Sequence, residues 1–138
     1  MKRLRLIVLA AAALFASVAL PAPPAGAAEL VMLVREGCVW CKRWNEEIGP
    51  IYPRTAEARI APLRVVDIDT PWPDDLADIR RERLTPTFIL VENGIEIGRL
   101  RGYAGDEFFW FLLGDLIKKL PKPEGGNERA GTANRNSG

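Results

Sequence analysis

ELVMLVREGCVWCKRWNEEIGPIYP, residues 29–53, decides the fold. Glu29 to Val34 is a continuous apolar run of strand length, the pattern of a strand buried on both faces. After three residues come Cys38 and Cys41, and from Cys38 onward Trp40, Trp44, Glu47, Ile48 and Ile51 recur at spacings of three and four. That is a helical period beginning at Cys38, and Gly49-Pro50 must break or kink it. A second helical piece is expected to run to Arg59.

Cys38 and Cys41 are the only cysteines, and the chain has no histidine. A structural zinc site needs four ligands, which this composition does not supply. A covalently attached haem needs histidine after the second cysteine, where Lys42 stands. No metal and no cofactor is therefore expected. Two readings of the pair remain. One is a structural crosslink, but a four-residue loop gains roughly 2 kcal/mol by loop entropy, against about 4.7 for a loop of a hundred residues. The other is a redox pair. Residues three apart on a helical turn lie within disulfide reach, and a thiolate at a helix N-terminus is stabilised by the unpaired amides there. Cys38 would then attack a substrate disulfide, and Cys41, one turn further in and shielded, would resolve the mixed disulfide. Lys42 and Arg43 either add positive potential or form a solvated flank.

Further along, Leu63 to Asp69 mixes β-branched with polar residues and ends at Thr70-Pro71-Trp72-Pro73, which predicts a second strand. Asp74 or Asp75 can cap a helix to about Arg83 with Leu76, Ile79 and Leu84 inward. Thr87 to Val91 and Ile95 to Arg101 flank Asn93-Gly94, a strong hairpin signal. Asp106 to Lys119 predicts a last helix, with Phe108, Phe109, Trp110 and Phe111 facing the core. The order β-α-β-α-β-β-α implies an α/β fold, a four-stranded mixed sheet with helices on both faces.

The ends read differently. Met1 to Arg5 is basic, Leu6 to Leu20 is an apolar run of 15 residues, and prolines and small residues follow to Ala28. This is the pattern of a secretory signal peptide, shorter than the roughly 20 residues a membrane span needs. Taking residues 1–27 as that segment removes Lys2, Arg3 and Arg5 from 19 basic and 18 acidic residues, leaving a net charge of −2. The basic terminus thus belongs to export, and no nucleic-acid partner is expected. Residues 28–120 are the expected domain, and 121–138, rich in Pro, Gly and Asn, an expected disordered tail. A monomer in the periplasm is the expectation.

Cys38-Val39-Trp40-Cys41 after a buried strand, Thr85-Pro86-Thr87 opening the third strand, and Glu92-Asn93-Gly94 followed by Gly102 together resemble the thioredoxin superfamily. The resemblance spans about residues 30 to 118. It implies a thioredoxin-like fold and a cis Pro86 packed against the redox disulfide. It also implies Thr85 offering backbone bonds to an extended substrate, with Trp40 beside them. A narrower resemblance, carried by residues 38–53, Gly102-Tyr103 and Phe108-Phe109-Trp110, is to exported thioredoxins of the SoxS type associated with sulfur oxidation. It implies a sulfur-carrier protein kept reduced as partner. The chain departs from thioredoxin proper in its Val39-Trp40 dipeptide and in Met32, which stands where thioredoxins bury an aspartate. Glu36 and water are the candidates left for moving the Cys41 proton.

The function expected is a thiol-disulfide oxidoreductase that reduces exported protein thiols and draws electrons from a membrane or periplasmic donor. An oxidase or isomerase is the first alternative. A peptide-binding module with a merely structural disulfide is the second.

Overall fold

The computed structural model describes residues 28–121. The expectations placed on residues 1–27, and on 122–138 of the tail, lie outside the described residues.

Strand β1 (Ala28–Val34) occupies the middle of the sheet, as its apolar run requires. It runs parallel to β2 (Leu63–Asp67), with Met32 beside Val65. On its other side it runs antiparallel to β3 (Thr87–Glu92), with Met32 beside Phe88. β3 turns at Asn93-Gly94 into β4 (Ile95–Arg101), giving the order β2-β1-β3-β4. Both turn residues have positive φ, 52° and 76°, as a two-residue hairpin loop demands.

Alternation along β1 and β3 divides the core in two. Leu30, Met32, Phe88 and Leu90 meet one layer, formed by helices α1 (Val39–Glu47) and α3 (Asp106–Ile117) through Trp44, Ile48, Phe109 and Leu113. Trp44 is fully buried, its ring 5.3 Å from that of Phe88 and 5.5 Å from that of Phe109. Val31, Leu33, Ile89 and Val91 pack on the opposite face against Leu76 and Ile79. Between α1 and β2 the chain makes a 3-10 turn (Tyr52–Arg54) and a short helix α2 (Ala56–Ile60), capped by Thr55, whose hydroxyl accepts the Ala58 N–H at 3.1 Å. Buried Tyr52 donates its hydroxyl to the Ala61 carbonyl at 2.7 Å and stacks on Trp110.

The break at Gly49-Pro50 falls as expected: α1 ends at Glu47, and the Ile48 and Gly49 amides both turn back onto the Trp44 carbonyl. The second strand stops at Asp67, two residues early, because the Asp67 carboxylate accepts the Asp69 N–H at 2.9 Å and its carbonyl takes the Thr70 hydroxyl. That side-chain turn competes with the ladder.

Two expectations need correction. The helix from Asp74 or Asp75 to Arg83 is absent, and the second face is covered instead by one 3-10 turn (Asp74–Leu76) and the coil after it. An α-helix would need the Leu76 carbonyl for the Arg80 amide. That oxygen instead accepts the Trp72 indole N–H at 2.6 Å and the Ile79 N–H at 2.9 Å, while Arg99 from β4 takes the Arg80 carbonyl at 3.0 Å. Leu76 and Ile79 still point inward, but Leu84 is exposed. Nor do four consecutive aromatics all face the core: Phe109 is buried and Trp110 half-buried, whereas Phe108 and Phe111 are exposed. Four successive residues turn most of the way round a helix of 3.6 per turn, so they cannot share one face.

Candidate active site

At the end of β1 the chain turns through Arg35-Glu36-Gly37, with Gly37 at φ 74°. A side chain would have open space there, so it is the left-handed backbone, not crowding, that favours glycine. The Cys38 N–H donates to the Arg35 carbonyl at 3.3 Å. Cys38 is the N-cap of α1, its backbone extended, and its Sγ accepts the Cys41 N–H at 3.1 Å. A sulfur here takes the place of the hydroxyl or carboxylate oxygen that usually caps a helix. Cys38 and Cys41 are joined in a disulfide with Cα atoms 5.2 Å apart. Cys41 is buried and Cys38 half-buried, while Val39 and Trp40 project into solvent. A shallow groove of about 520 Å³, walled by Arg35, Cys38, Val39, Lys42 and Val65 among others, opens on the β2 side of the pair.

The Thr85–Pro86 bond is cis. Thr87 pairs with Leu33 across the sheet, so the preceding Pro86 lies at the same sheet end as the Cys38 turn. Pro86 is buried, Thr85 half-buried, and the segment is tied on both sides: the Gly102 N–H donates to the Pro86 carbonyl at 2.8 Å, and the Thr87 hydroxyl to the Leu84 carbonyl at 2.8 Å. The structure thus brings Cys38, Cys41, Thr85 and Pro86 to one end of the sheet, with exposed Trp40 on the dithiol turn.

Two residues escaped sequence reasoning as parts of this region. Glu47 accepts Arg43 Nε at 2.8 Å on one oxygen and the Tyr103 hydroxyl at 2.6 Å on the other. The Arg43 guanidinium lies 5.7 Å from the centre of the Trp40 ring and 6.0 Å from that of Tyr103. The Tyr103 hydroxyl, and then Arg43, hold the Glu47 carboxyl below its ordinary range, and burial followed by Glu47 pushes the Tyr103 hydroxyl up. No local spacing reveals a pair 56 positions apart. The Gly102-Tyr103 dipeptide entered the sequence reading as part of a family resemblance and carried no sign of the pairing. Lys42 and Arg43 each have a carboxylate partner one turn on, Glu46 at 3.8 Å and Glu47 at 2.8 Å. Met32 is fully buried, and no carboxylate stands at its position.

No family model matches the sequence, and no curated protein does. Solved structures do match. The periplasmic thioredoxin SoxS from Paracoccus pantotrophus, in its reduced form, is 42% identical at a TM-score of 0.63, over 67% of this chain and 97% of that one. A thioredoxin from Thermus thermophilus is 31% identical at a TM-score of 0.52, over 67% of this chain and 75% of that one. A thioredoxin from Malassezia sympodialis, 21% identical at a TM-score of 0.50 over 66% and 78%, shares the fold. A mixed sheet with the dithiol turn after its central strand and a cis-proline before the third defines a thioredoxin-like protein. The chain belongs to the thioredoxin superfamily, and within it to the SoxS-like type. Together with the close Cys38–Cys41 pair, this supports a thiol-disulfide redox role.

Proposed function

We propose that the protein is a periplasmic protein-disulfide reductase in which Cys38 is the nucleophile and Cys41 the resolving thiol. The observation that carries this is the placement of the two sulfurs: Cys38 caps α1 and receives the Cys41 N–H, while Cys41 is buried behind it. A hydrogen bond and a helix N-terminus both favour the thiolate over the thiol. In the reduced protein the Cys38 thiolate attacks one sulfur of a substrate disulfide. That S–S bond breaks, a mixed disulfide forms, and the departing sulfur takes a proton. Cys41, deprotonated, then attacks Cys38, releasing the second substrate thiolate, which is protonated in turn. Two electrons and two protons pass to the substrate, and the Cys38–Cys41 disulfide is left for a dithiol donor protein to reduce. Thr85 supplies backbone hydrogen bonds to an extended substrate, and Pro86 and Trp40 flank it.

The periplasmic assignment draws on the signal-like residues 1–27 and on the periplasmic setting of the Paracoccus relative. A sulfur-carrier protein whose cysteine is kept reduced is the partner we propose, with the reductase acting as a monomer. Equilibrating the dithiol in a glutathione or dithiothreitol buffer tests the direction. A potential near or below about −250 mV supports the reductase, and one above about −150 mV makes the protein an oxidase.

A further inference from the structure

Arg35 walls two grooves. One is the groove beside Cys38 and Val39. The other, of about 400 Å³, is lined by Ile68, Asp69, Trp72, Arg81, Glu82 and Arg83. The two therefore share one lining residue, the one whose carbonyl holds the Cys38 amide.

Charge in the second groove is unevenly spent. Arg35 is paired with Asp69 at 3.2 Å. Glu82 is taken by Arg101 at 2.6 Å and Arg99 at 3.8 Å. Arg81 and Arg83 are exposed and have no carboxylate within ion-pair distance among the described residues. On a domain whose acids outnumber its bases, this is a local cationic rim.

The rim is also held in place, although its segment is not helical. Arg99 binds the Arg80 carbonyl, Arg101 binds Glu82, and the Arg81 guanidinium lies 5.2 Å from the centre of the Trp72 ring, whose indole is fixed on the Leu76 carbonyl. An ordered guanidinium loses less freedom when it meets an anion than a free one does. Arg83 is two residues before Thr85, so the rim lies next along the chain to the position proposed to pair with substrate backbone.

We propose that this groove docks an acidic, extended segment of the partner protein, next to the cysteine being reduced. The carboxylates would meet Arg81 and Arg83, and their methylenes would lie on Trp72 and Ile68. The inference rests on the reductase reading above.

The test uses the reduced protein, freed of reductant, and three disulfide peptides of equal length with neutral, acidic or basic flanks. Each rate of reduction is expressed relative to the neutral peptide, so a general loss of activity cancels. The expected result is reduction of the acidic peptide about 10-fold faster than the basic one at low ionic strength, with the difference collapsing near 1 M salt. The double substitution Arg81→Glu and Arg83→Glu is expected to reverse the order. Equal rates for the acidic and basic peptides, or a preference that survives the charge reversal, overturns the docking proposal alone. If the neutral peptide is not reduced either, the reductase reading falls and the docking proposal with it.

Discussion

Tyr103 and Glu47 join the loop after β4 to the end of α1 through one hydrogen bond of 2.6 Å, hydroxyl to carboxylate. Because the neighbouring Gly102 amide holds the Pro86 carbonyl, the bond links the helix of the dithiol to the strand end that carries the cis-proline. Sequence distance hides this relationship.

The bond has a pH signature. Glu47 is held below its ordinary range in the folded protein, first by Tyr103 and then by Arg43. Its contribution to stability is complete above the unfolded carboxylate pKa, about 4.3, and is lost as pH falls through the lower folded value. Tyr103→Phe removes the larger cause, so thermal midpoints measured between pH 3 and pH 7 should fall less steeply with acid in the variant. Parallel curves for the two proteins would show that the bond does not contribute.

Tyr52 makes a simpler case, since its hydroxyl and the Ala61 carbonyl are buried together. Tyr52→Phe leaves that carbonyl without its donor and should cost about 1 to 2 kcal/mol in urea unfolding. An unchanged midpoint would mean that water replaces the hydroxyl. The same hydroxyl is pushed above its ordinary pKa by burial. Its contribution is thus complete below the unfolded tyrosine pKa of about 10 and is lost as pH rises beyond it, so Tyr52→Phe should also flatten the alkaline loss of stability.

How much of this was legible in the sequence depended on how local the deciding interaction is. The run Leu30 to Val34, the Asn93-Gly94 turn and the Cys38–Cys41 spacing are decided within a few residues, and the strand, hairpin and dithiol turn follow from them. The stretch from Asp74 to Arg83 is decided elsewhere: Trp72 and Arg99 take the carbonyls a helix would use, and Arg99 is contributed by a strand nearly twenty residues on. The cis Thr85–Pro86 bond came from family resemblance, since nothing local distinguishes it from an ordinary turn proline. Trp40 read from the sequence as one of the apolar residues at helical spacing; its exposure, its approach to Arg43, and Arg43's to Tyr103, needed the fold.

Glu82 stands between Arg99 and Arg101, and Arg101 holds its carboxyl below the ordinary range. Its carboxylate also accepts the Arg83 N–H at 3.0 Å, tying the backbone that leads into Thr85 to β4. Glu82→Gln should slow reduction of a neutral disulfide peptide several-fold while the alkylation rate of Cys38 stays the same. A matching fall in both would place the defect at the dithiol instead.

Cys41→Ser should leave Cys38 able to form a mixed disulfide that nothing resolves, because the Cys41 backbone N–H that Cys38 Sγ accepts survives the substitution. Trapped conjugates with periplasmic proteins, visible on non-reducing gels and absent in Cys38→Ser, are the expected outcome. Conjugates through position 41 alone would reverse the assigned roles.

Most direct is the ionisation of Cys38 itself, read from the rate of iodoacetamide alkylation against pH in the reduced protein and in Cys41→Ser. A sulfur that caps a helix and receives an amide N–H should titrate clearly below the free-cysteine value of about 8.5 in both. A Cys38 that titrates at or above that value, and alkylates slowly, would contradict the account and leave a family member whose disulfide only staples a turn.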